Sequence, residues 1–446
     1  MTHPLRKAAW RFLILGPIWG VVAAGAQTVF HVPGDYSNIQ SAINAASSGD
    51  TVIVGDGTFT GTNNRDLRIW GKAITVRSAH GPSATTIDCS LLGRGFLVID
   101  GEGQDTVIEG FTIQNCRATG ANNGAGIYVN YASPTIRNCL VRFCLSESKG
   151  GGLYTYSTNS YAPVRIEGST FFYNTAWAGG GGVWARNAVI VGSTFSTNQA
   201  GQDSTGVPAN GGGAYVASSQ LHDNLFIGNR ARRGGGIAMD GAVTLVNALF
   251  QDNSADVFGA TTNQGGAAMI DGPDCSVAFA TFSGNWASSP PPPGDTYGHT
   301  FFLNGWNADI AASILWDANS PEAFAGTGIP NVSLSDVKQA SGTYPGSLNM
   351  NSNPLFASGP EGGFYLSQVA AGQASTSGCV NWHTAAASTV CPAGPGDLCL
   401  DRFTTRTDHV PDSGDADIGF HRGKPLLFRS DFEIGRLSDW SVWSPM

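Results

Sequence analysis

The sequence predicts an all-β fold, a right-handed parallel β-helix, and three observations predict it. One pattern recurs between Ile108 and Asn285, in the strings IEGFTIQNC, IRNCLVRFC, IEGSTFFYN, IVGSTFSTN, LHDNLFIGN, LVNALFQDN and VAFATFSGN. They end on Cys116, Cys144, Asn174, Asn198, Asn229, Asn253 and Asn285, at intervals of 28, 30, 24, 31, 24 and 32 residues. After each comes a glycine run and a second strand: GAGIYV, GGGLYT, GGGGVWA, GGGAYV, GGGIAM and QGGAAM. A strand-rich repeat of this length cannot bury its own apolar face, so neighbouring repeats must stack as coils. Finally, each segment alternates apolar and polar residues with period 2 and is too short and too rich in β-branched residues and glycine for a helix. Equivalent strands then stack about 4.8 Å apart, and the crossover rule makes the coil right-handed.

Residues 1–26 read as a secretory signal: Arg6, Lys7 and Arg11, an apolar run from Phe12 to Ala24, and a small-residue cleavage site at Ala24-Gly25-Ala26. The run is broken by Pro17 and falls short of the roughly 20 residues a membrane span needs, so no transmembrane span is expected in the mature chain. The β-helix is expected over 27–360. It opens with a strand and a short helix, where Ser37 and Gln40 suggest a capping box and Ile39, Ala42, Ile43 and Ala46 share one face. Such a helix covers the first coil, whose open edge would otherwise template aggregation. The coils from Leu67 to Asp105 are irregular and those from Ile108 to Asn285 regular. Within the latter, the Asn of each Phe-x-x-Asn reads as an internal ladder and the glycines as tight corners. The composition changes after Phe356, which marks a cysteine-bearing C-terminal region at 361–423 expected to fold over the last coil, and a tail at 424–446.

Without the three basic residues of the signal, 21 Lys and Arg face 33 Asp and Glu, a formal charge of −12. Nucleic acid is therefore excluded as a partner, since phosphate binding needs a basic surface. The expected state is a monomer, secreted or at the cell surface. Eight cysteines in an exported chain are disulfide candidates. Cys116 and Cys144 occupy the same ladder position in adjacent coils, which predicts a bridge between them. Two of Cys379, Cys391 and Cys399 are expected to pair, while Cys89, Cys139 and Cys275 stay unassigned.

Alternation along the second strand puts Ile127, Leu153, Val183, Ala214, Ile237 and Ala267 inside, with Val129, Thr155, Ala185, Val216, Met239 and Met269. Tyr128, Tyr154, Trp184 and Tyr215 then point outward, followed by Ala238 and Ala268. Flat aromatic rings with polar tips suit sugar rings, and a solenoid presents them as a track, so the candidate ligand is a polysaccharide. The alternative is a ladder that stabilises the sheet by same-face stacking. Three long linkers, Gln199 to Asn210, Ser254 to Gln264 and Trp286 to Tyr297, leave from one corner as the wall of a groove. Between them Arg230, Arg232 and Arg233 form a corner suited to acidic sugars, or merely solvated turn charges.

Catalytic constellations are sparser. Asp240 and Asp271 could stack one coil apart, but each precedes a glycine and reads more simply as a turn residue; Glu109, Arg137 and Glu167 read as a charge ladder; His222 and Asp223 have no nucleophile beside them. Asp408, Asp412, Asp415 and Asp417 form an acidic cluster in a Gly/Pro loop, a candidate Ca2+ site without EF-hand spacing.

The string IQSAINAASSGDTVIVGDGTFTG resembles the opening of secreted β-helix proteins of the pectin-lyase-like superfamily, and the GG[AILV] and FxxN repeats resemble those of polymorphic outer-membrane adhesins. The tail LFRSDFEIGRLSDWS is similar to a terminal element of exported Gram-negative proteins. The resemblance implies the fold more than the activity. Lyases of that fold use bound calcium with an Arg or Lys base, and polygalacturonases use clustered aspartates. The polygalacturonase strings NTD and GHG are missing, with only GHT at 298–300. The expectation is therefore polysaccharide binding along the aromatic face, with a lyase or hydrolase as the alternative and an adhesin-like protein without glycan ligand as the third.

Overall fold

A computed structural model describes residues 27–157, 162–201, 209–256, 263–287, 300–317, 323–391 and 399–423. The expected signal, the tips of the three long linkers and the 424–446 tail lie outside the described residues. The chain winds as a right-handed parallel β-helix with three sheets running along its axis. The longest has 21 strands and bends midway in each coil, a narrow sheet has seven, and a third has ten. Among the described residues, seven coils pass from the long sheet to the narrow one and then on to the ten-stranded one; the coils at either end lack the narrow-sheet strand. In-register parallel pairing, such as Leu153 with Val183 and then Ala214, lets identical positions repeat up the axis.

Two interior stacks fill the coil. Phe171, Phe195, Phe226, Phe250 and Phe282 are fully buried, with ring centroids 4.6 to 5.4 Å apart along the series. Beside them runs the asparagine ladder of Asn174, Asn198, Asn229, Asn253 and Asn285, each buried. Each of the first four side chains donates from Nδ2 to Oδ1 of the next at 2.9 to 3.0 Å, and that same Oδ1 accepts the donor residue's backbone N–H. The ladder ends on Asp317, whose Oδ1 accepts from Asn285 Nδ2 at 3.1 Å. The middle glycine of the run is required by close approach: a Cβ on Gly151 would lie 2.4 Å from the carbonyl oxygens of Gly181 and Thr175.

The helix Ile39–Ala45 buries Ile39, Ala42 and Ile43 over the first coil. Its N-cap is Asn38 and not Ser37: Asn38 Oδ1 accepts the Ser41 N–H at 2.9 Å. Gln40 instead exchanges hydrogen bonds with the backbone of Arg68, closing the free edge of the ten-stranded sheet.

Three further expectations are corrected. Cys116 pairs with Cys89, at a Cα separation of 4.8 Å, and not with Cys144, which is a buried free thiol. A ladder position has a neighbour on both sides, and Cys116 is bonded to the one in the preceding, irregular coil. In the strand after QGG, Ala268 pairs with Ile237 and Met269 with Ala238, so Ala268 and Ile270 face inward and Met269 outward. Ala267 there replaces the last glycine of the run, which shifts the reading by one. Finally, the C-terminal region also lies along the flank of the solenoid. Gly419 N donates to Ala312 O, Phe420 N to Thr281 Oγ1, and His421 N to Asn247 Oδ1, three successive coils crossed toward the N-terminus. It buries a second apolar cluster including Val246, Phe279, Ile314, Leu366, Leu400 and Ile418. Within this region Cys391 pairs with Cys399, and Cys379 stays reduced.

Candidate functional site

The outer face of the ten-stranded sheet assembles the four expected aromatics in one register: Tyr128, Tyr154, Trp184 and Tyr215. Their rings stack at 5.6, 4.8 and 5.4 Å with interplanar angles of 16°, 15° and 3°. Stacking has a cost for recognition. Each inner ring has both faces occupied by its neighbours, and Tyr154 and Trp184 are only 8% exposed. Burial and the neighbouring Tyr128 push the Tyr154 hydroxyl up to about 12. The Tyr215 hydroxyl is raised by burial and by its bond to Asp240 Oδ2, 2.9 Å. The ladder then continues through Ala238, Met269, Phe302 and Ala325, a small apolar cluster against which Tyr215 packs.

Two residues not singled out in the sequence widen this face. Tyr156 lies one outward position along the strand from Tyr154, and Tyr131 is 47% exposed and meets the Tyr156 ring edge-on at 5.6 Å. Tyr156 follows from the same alternation, carried two residues further; Tyr131, at the turn after Asn130 with φ of 51°, does not. Cations flank the rings: Arg94 over Tyr128 at 5.1 Å, Lys149 over Trp184 at 5.0 Å, and Arg186 over Tyr156 at 5.9 Å. Arg94 is fixed by the Asn123 and Gly124 carbonyls at 3.1 and 3.0 Å. These contacts attach charge to an apolar track in an otherwise acidic protein.

The expected arginine corner does not act as one group. Arg230 sits on the narrow sheet and pairs with Asp256 at 3.2 Å, whereas Arg233 lies over Phe302 at 5.5 Å, on the ten-stranded sheet. Arg232 lies between them in the chain, its N–H bonded to Ala209 O. Asp240 and Asp271 do stack in adjacent coils at the far end of the aromatic face. Asp240 takes the Tyr215 hydroxyl and Asp271 takes Asn304 Nδ2 at 2.7 Å.

The four C-terminal aspartates are dispersed. Asp408 pairs with Arg406 at 2.6 Å; Asp412 accepts from His421 Nε2 at 3.1 Å and from the Asp417 N–H at 2.9 Å; Asp415 is exposed. Asp417 is enclosed by the Thr405 hydroxyl, Gln368 and the Asn381 N–H, and burial beside Asp412 raises its carboxyl. Among the described residues no three acidic, His or Cys side chains are arranged to hold a metal. The donors fit internal hydrogen bonds and not a calcium shell, which needs six to eight oxygens on one point. Asp412 and Asp417 do line a cavity of about 270 Å³ with Gln368, Asn381, Arg406 and Ser413.

Residues 52–255 match the family model described as "Right handed beta helix region". Among solved structures, the pectate lyase Pel9A is similar at a TM-score of 0.42 and 12% identity, covering 90% of this chain and 97% of its own. The alginate lyase AlyGC follows at 0.36 and 10%, covering 75% of this chain and 55% of that one. A mannuronic acid specific lyase from human gut microbiota gives 0.30 and 10%, covering 73% and 91%. Among curated proteins no match was found. At these identities the likeness concerns the coil architecture alone.

Proposed function

We propose that this right-handed parallel β-helix protein, of the pectin-lyase-like kind, binds polysaccharide outside the cytoplasm, along the face carrying the Tyr128, Tyr154, Trp184, Tyr215 ladder. The observation that carries the reading is the strip beside the ladder, where Tyr131 and Tyr156 lie edge to face with Arg186 over Tyr156, and Lys149 over Trp184. The stacked ladder supplies a rigid floor with ring edges and hydroxyls, and the strip supplies the exposed Tyr131 ring and positive charge. A sugar chain running along the axis meets an aromatic at each of four successive coils, so contacts accumulate over that length. Two disulfides fit an oxidising compartment, and a secreted or cell-surface location accords with the leader-like first 26 residues. No helix among the described residues is long and apolar enough to cross a membrane.

Cleavage is the second reading, supported by Asp240 and Asp271 in adjacent coils at the end of the same track. The experiment is size-exclusion chromatography with light scattering on protein mixed with acidic and neutral polysaccharides. Co-elution with an acidic polysaccharide at unchanged polymer length, lost in a Tyr156→Ala, Arg186→Ala double variant, supports binding. Shortened polymer, restored to full length by Asp240→Asn, supports cleavage instead.

A further inference from the structure

A different corner of the solenoid carries rings that the ladder does not explain. At the turn from the long sheet into the narrow one, Phe143 and Tyr173 project into solvent at 38% and 54% exposure. Phe172 completes the group, with centroids 5.8 Å from Phe143 and 5.9 Å from Tyr173, and Phe143 lies 5.8 Å from Tyr173. The rings are tilted by 54° to 72°, so their faces are not stacked on one another as those of the ladder are.

Their backbone is unexpected for such residues. Phe143 and Tyr173 have φ of 54° and 55°, in the left-handed region. The equivalent position in other coils holds Asn115, Thr197, Gly228, Asp252 and Gly284, mostly the residue types that tolerate this conformation. A bulky aromatic there is disfavoured by the clash of its Cβ with the backbone, and exposure returns little packing. Trp70 and Tyr131 are exposed aromatics in the same conformation, so the backbone alone does not mark a site; what sets Phe143 and Tyr173 apart is the third ring, Phe172, and the polar groups beside them.

Polar groups line the same corner in a fixed arrangement. Arg142 donates through Nε and Nη2 to Gln114 Oε1, at 2.9 and 2.7 Å, and its guanidinium lies 5.4 Å from the Phe143 centroid. Gln114 and Asn115 both donate to Asp88 Oδ2, at 2.8 and 2.9 Å. Apolar ring faces beside amide and guanidinium groups match the two sides of a sugar, its C–H face and its hydroxyl rim. Three rings over two adjacent coils are far fewer than the roughly 20 to 30 residues a side that a stable protein interface uses. The site thus fits a short ligand and not a second folded chain.

We propose that Phe143, Phe172 and Tyr173, with Arg142 and Gln114, form a second carbohydrate site, separate from the ladder face, for neutral β-linked pyranose units. All-equatorial pyranoses present axial C–H groups on both faces, which stack on Tyr173 and Phe143, while ring hydroxyls meet Arg142, Gln114 and Asn115. The charge of Arg142 is offset by nearby Asp88, which favours hydroxyl over carboxylate recognition.

The test uses the full chain, with cellohexaose as the probe, in titration calorimetry. Wild type is expected to bind, and Tyr173→Asn and Phe143→Asn are each expected to weaken binding at least ten-fold. Asn suits the left-handed backbone, so these variants should keep or raise Tm, which a packing role for the rings would not allow. The Tyr156→Ala, Arg186→Ala double variant should bind cellohexaose as wild type does, so failure of the ladder-face reading and of this one remain separable. Absence of cellohexaose binding, undiminished binding in both Asn variants, or a lowered Tm without loss of affinity overturns the proposal. A change of molecular mass in the Asn variants, from oligomer to monomer, overturns it in favour of self-association.

Discussion

Asn198 illustrates how one buried amide holds several coils. Its Oδ1 accepts from the Asn174 N–H and Nδ2, and its own Nδ2 reaches Asn229 Oδ1 and the Phe171 carbonyl, all at 2.9 to 3.0 Å. Asn198→Ala removes the partner of the buried Asn174 N–H and of the Phe171 carbonyl. It should lower stability by about 2–4 kcal/mol, read from the urea midpoint. Asp317, which ends the ladder, is pushed by burial to about 6 from its ordinary 3.8 despite the Thr300 hydroxyl and Asn285 donating to it. A carboxyl raised on folding binds its proton more tightly in the native state. Its contribution therefore falls as pH rises from about 4 to about 6 and stays low above that. Asp317→Asn keeps an acceptor for Asn285 without the buried charge. Thermal melts across pH 4 to 8 should show a loss of stability of order 2 kcal/mol in wild type that is reduced in the variant. The ladder was legible in the Phe-x-x-Asn repeats, because an amide is the side chain that can donate and accept at once. Asp317 was harder to see, since its segment reads Leu-Trp-Asp and the first aromatic is gone. The C-terminal aspartates illustrate the converse: sequence proximity grouped four carboxyls, but Arg406, His421 and the Thr405 hydroxyl separate them.

Alternation along a strand transfers well to a solenoid, since each position inherits the environment of the one below. It placed Tyr128, Tyr154, Trp184 and Tyr215 on one outer row, and it failed only where Ala267 replaced a glycine and displaced the register by one. What alternation does not reveal is the distance between rings. At a rung of about 4.8 Å, neighbouring aromatics in parallel register stack face to face, which converts an apparent platform into a column. The exposed rings Tyr131, Phe143 and Tyr173 sit instead at turns in the left-handed conformation, where period-2 reasoning stops. The cysteines carry the same lesson. One rung separates Cys116 from both neighbours, so equivalence of position did not choose between them. Peptide mapping of the non-reduced protein should recover Cys89 linked to Cys116 and Cys391 linked to Cys399. Cys139, Cys144, Cys275 and Cys379 should alkylate only after unfolding, because burial raises all four thiols. A peptide joining Cys116 to Cys144 would contradict this register.

The molecule as a whole is a coil closed by Ile39–Ala45 at its start and braced along its flank by the C-terminal region. Composition marked that region off, but its path was not readable, because it rests on contacts up to 174 residues apart. Asn247 is the contact that fixes it: its Oδ1 takes the His421 N–H at 2.6 Å and its Nδ2 meets the His421 carbonyl at 2.8 Å. Asn247→Ala should make residues 361–423 more sensitive to limited proteolysis while the β signal in circular dichroism is retained; loss of the whole β signal would instead make the brace inseparable from the coil. With the flank covered there, the ten-stranded sheet and its strip of Tyr131, Tyr156 and Arg186 offer, among the described residues, a face along which a long polymer can lie. Co-elution of the protein with polysaccharide, followed by light scattering, tests that claim most directly. With an acidic polysaccharide the account predicts a complex with polymer of unchanged length that disappears in the Tyr156→Ala, Arg186→Ala variant at unchanged Tm. Shortening of the polymer by wild type, or a complex with acidic polymer that survives the double substitution, would contradict it.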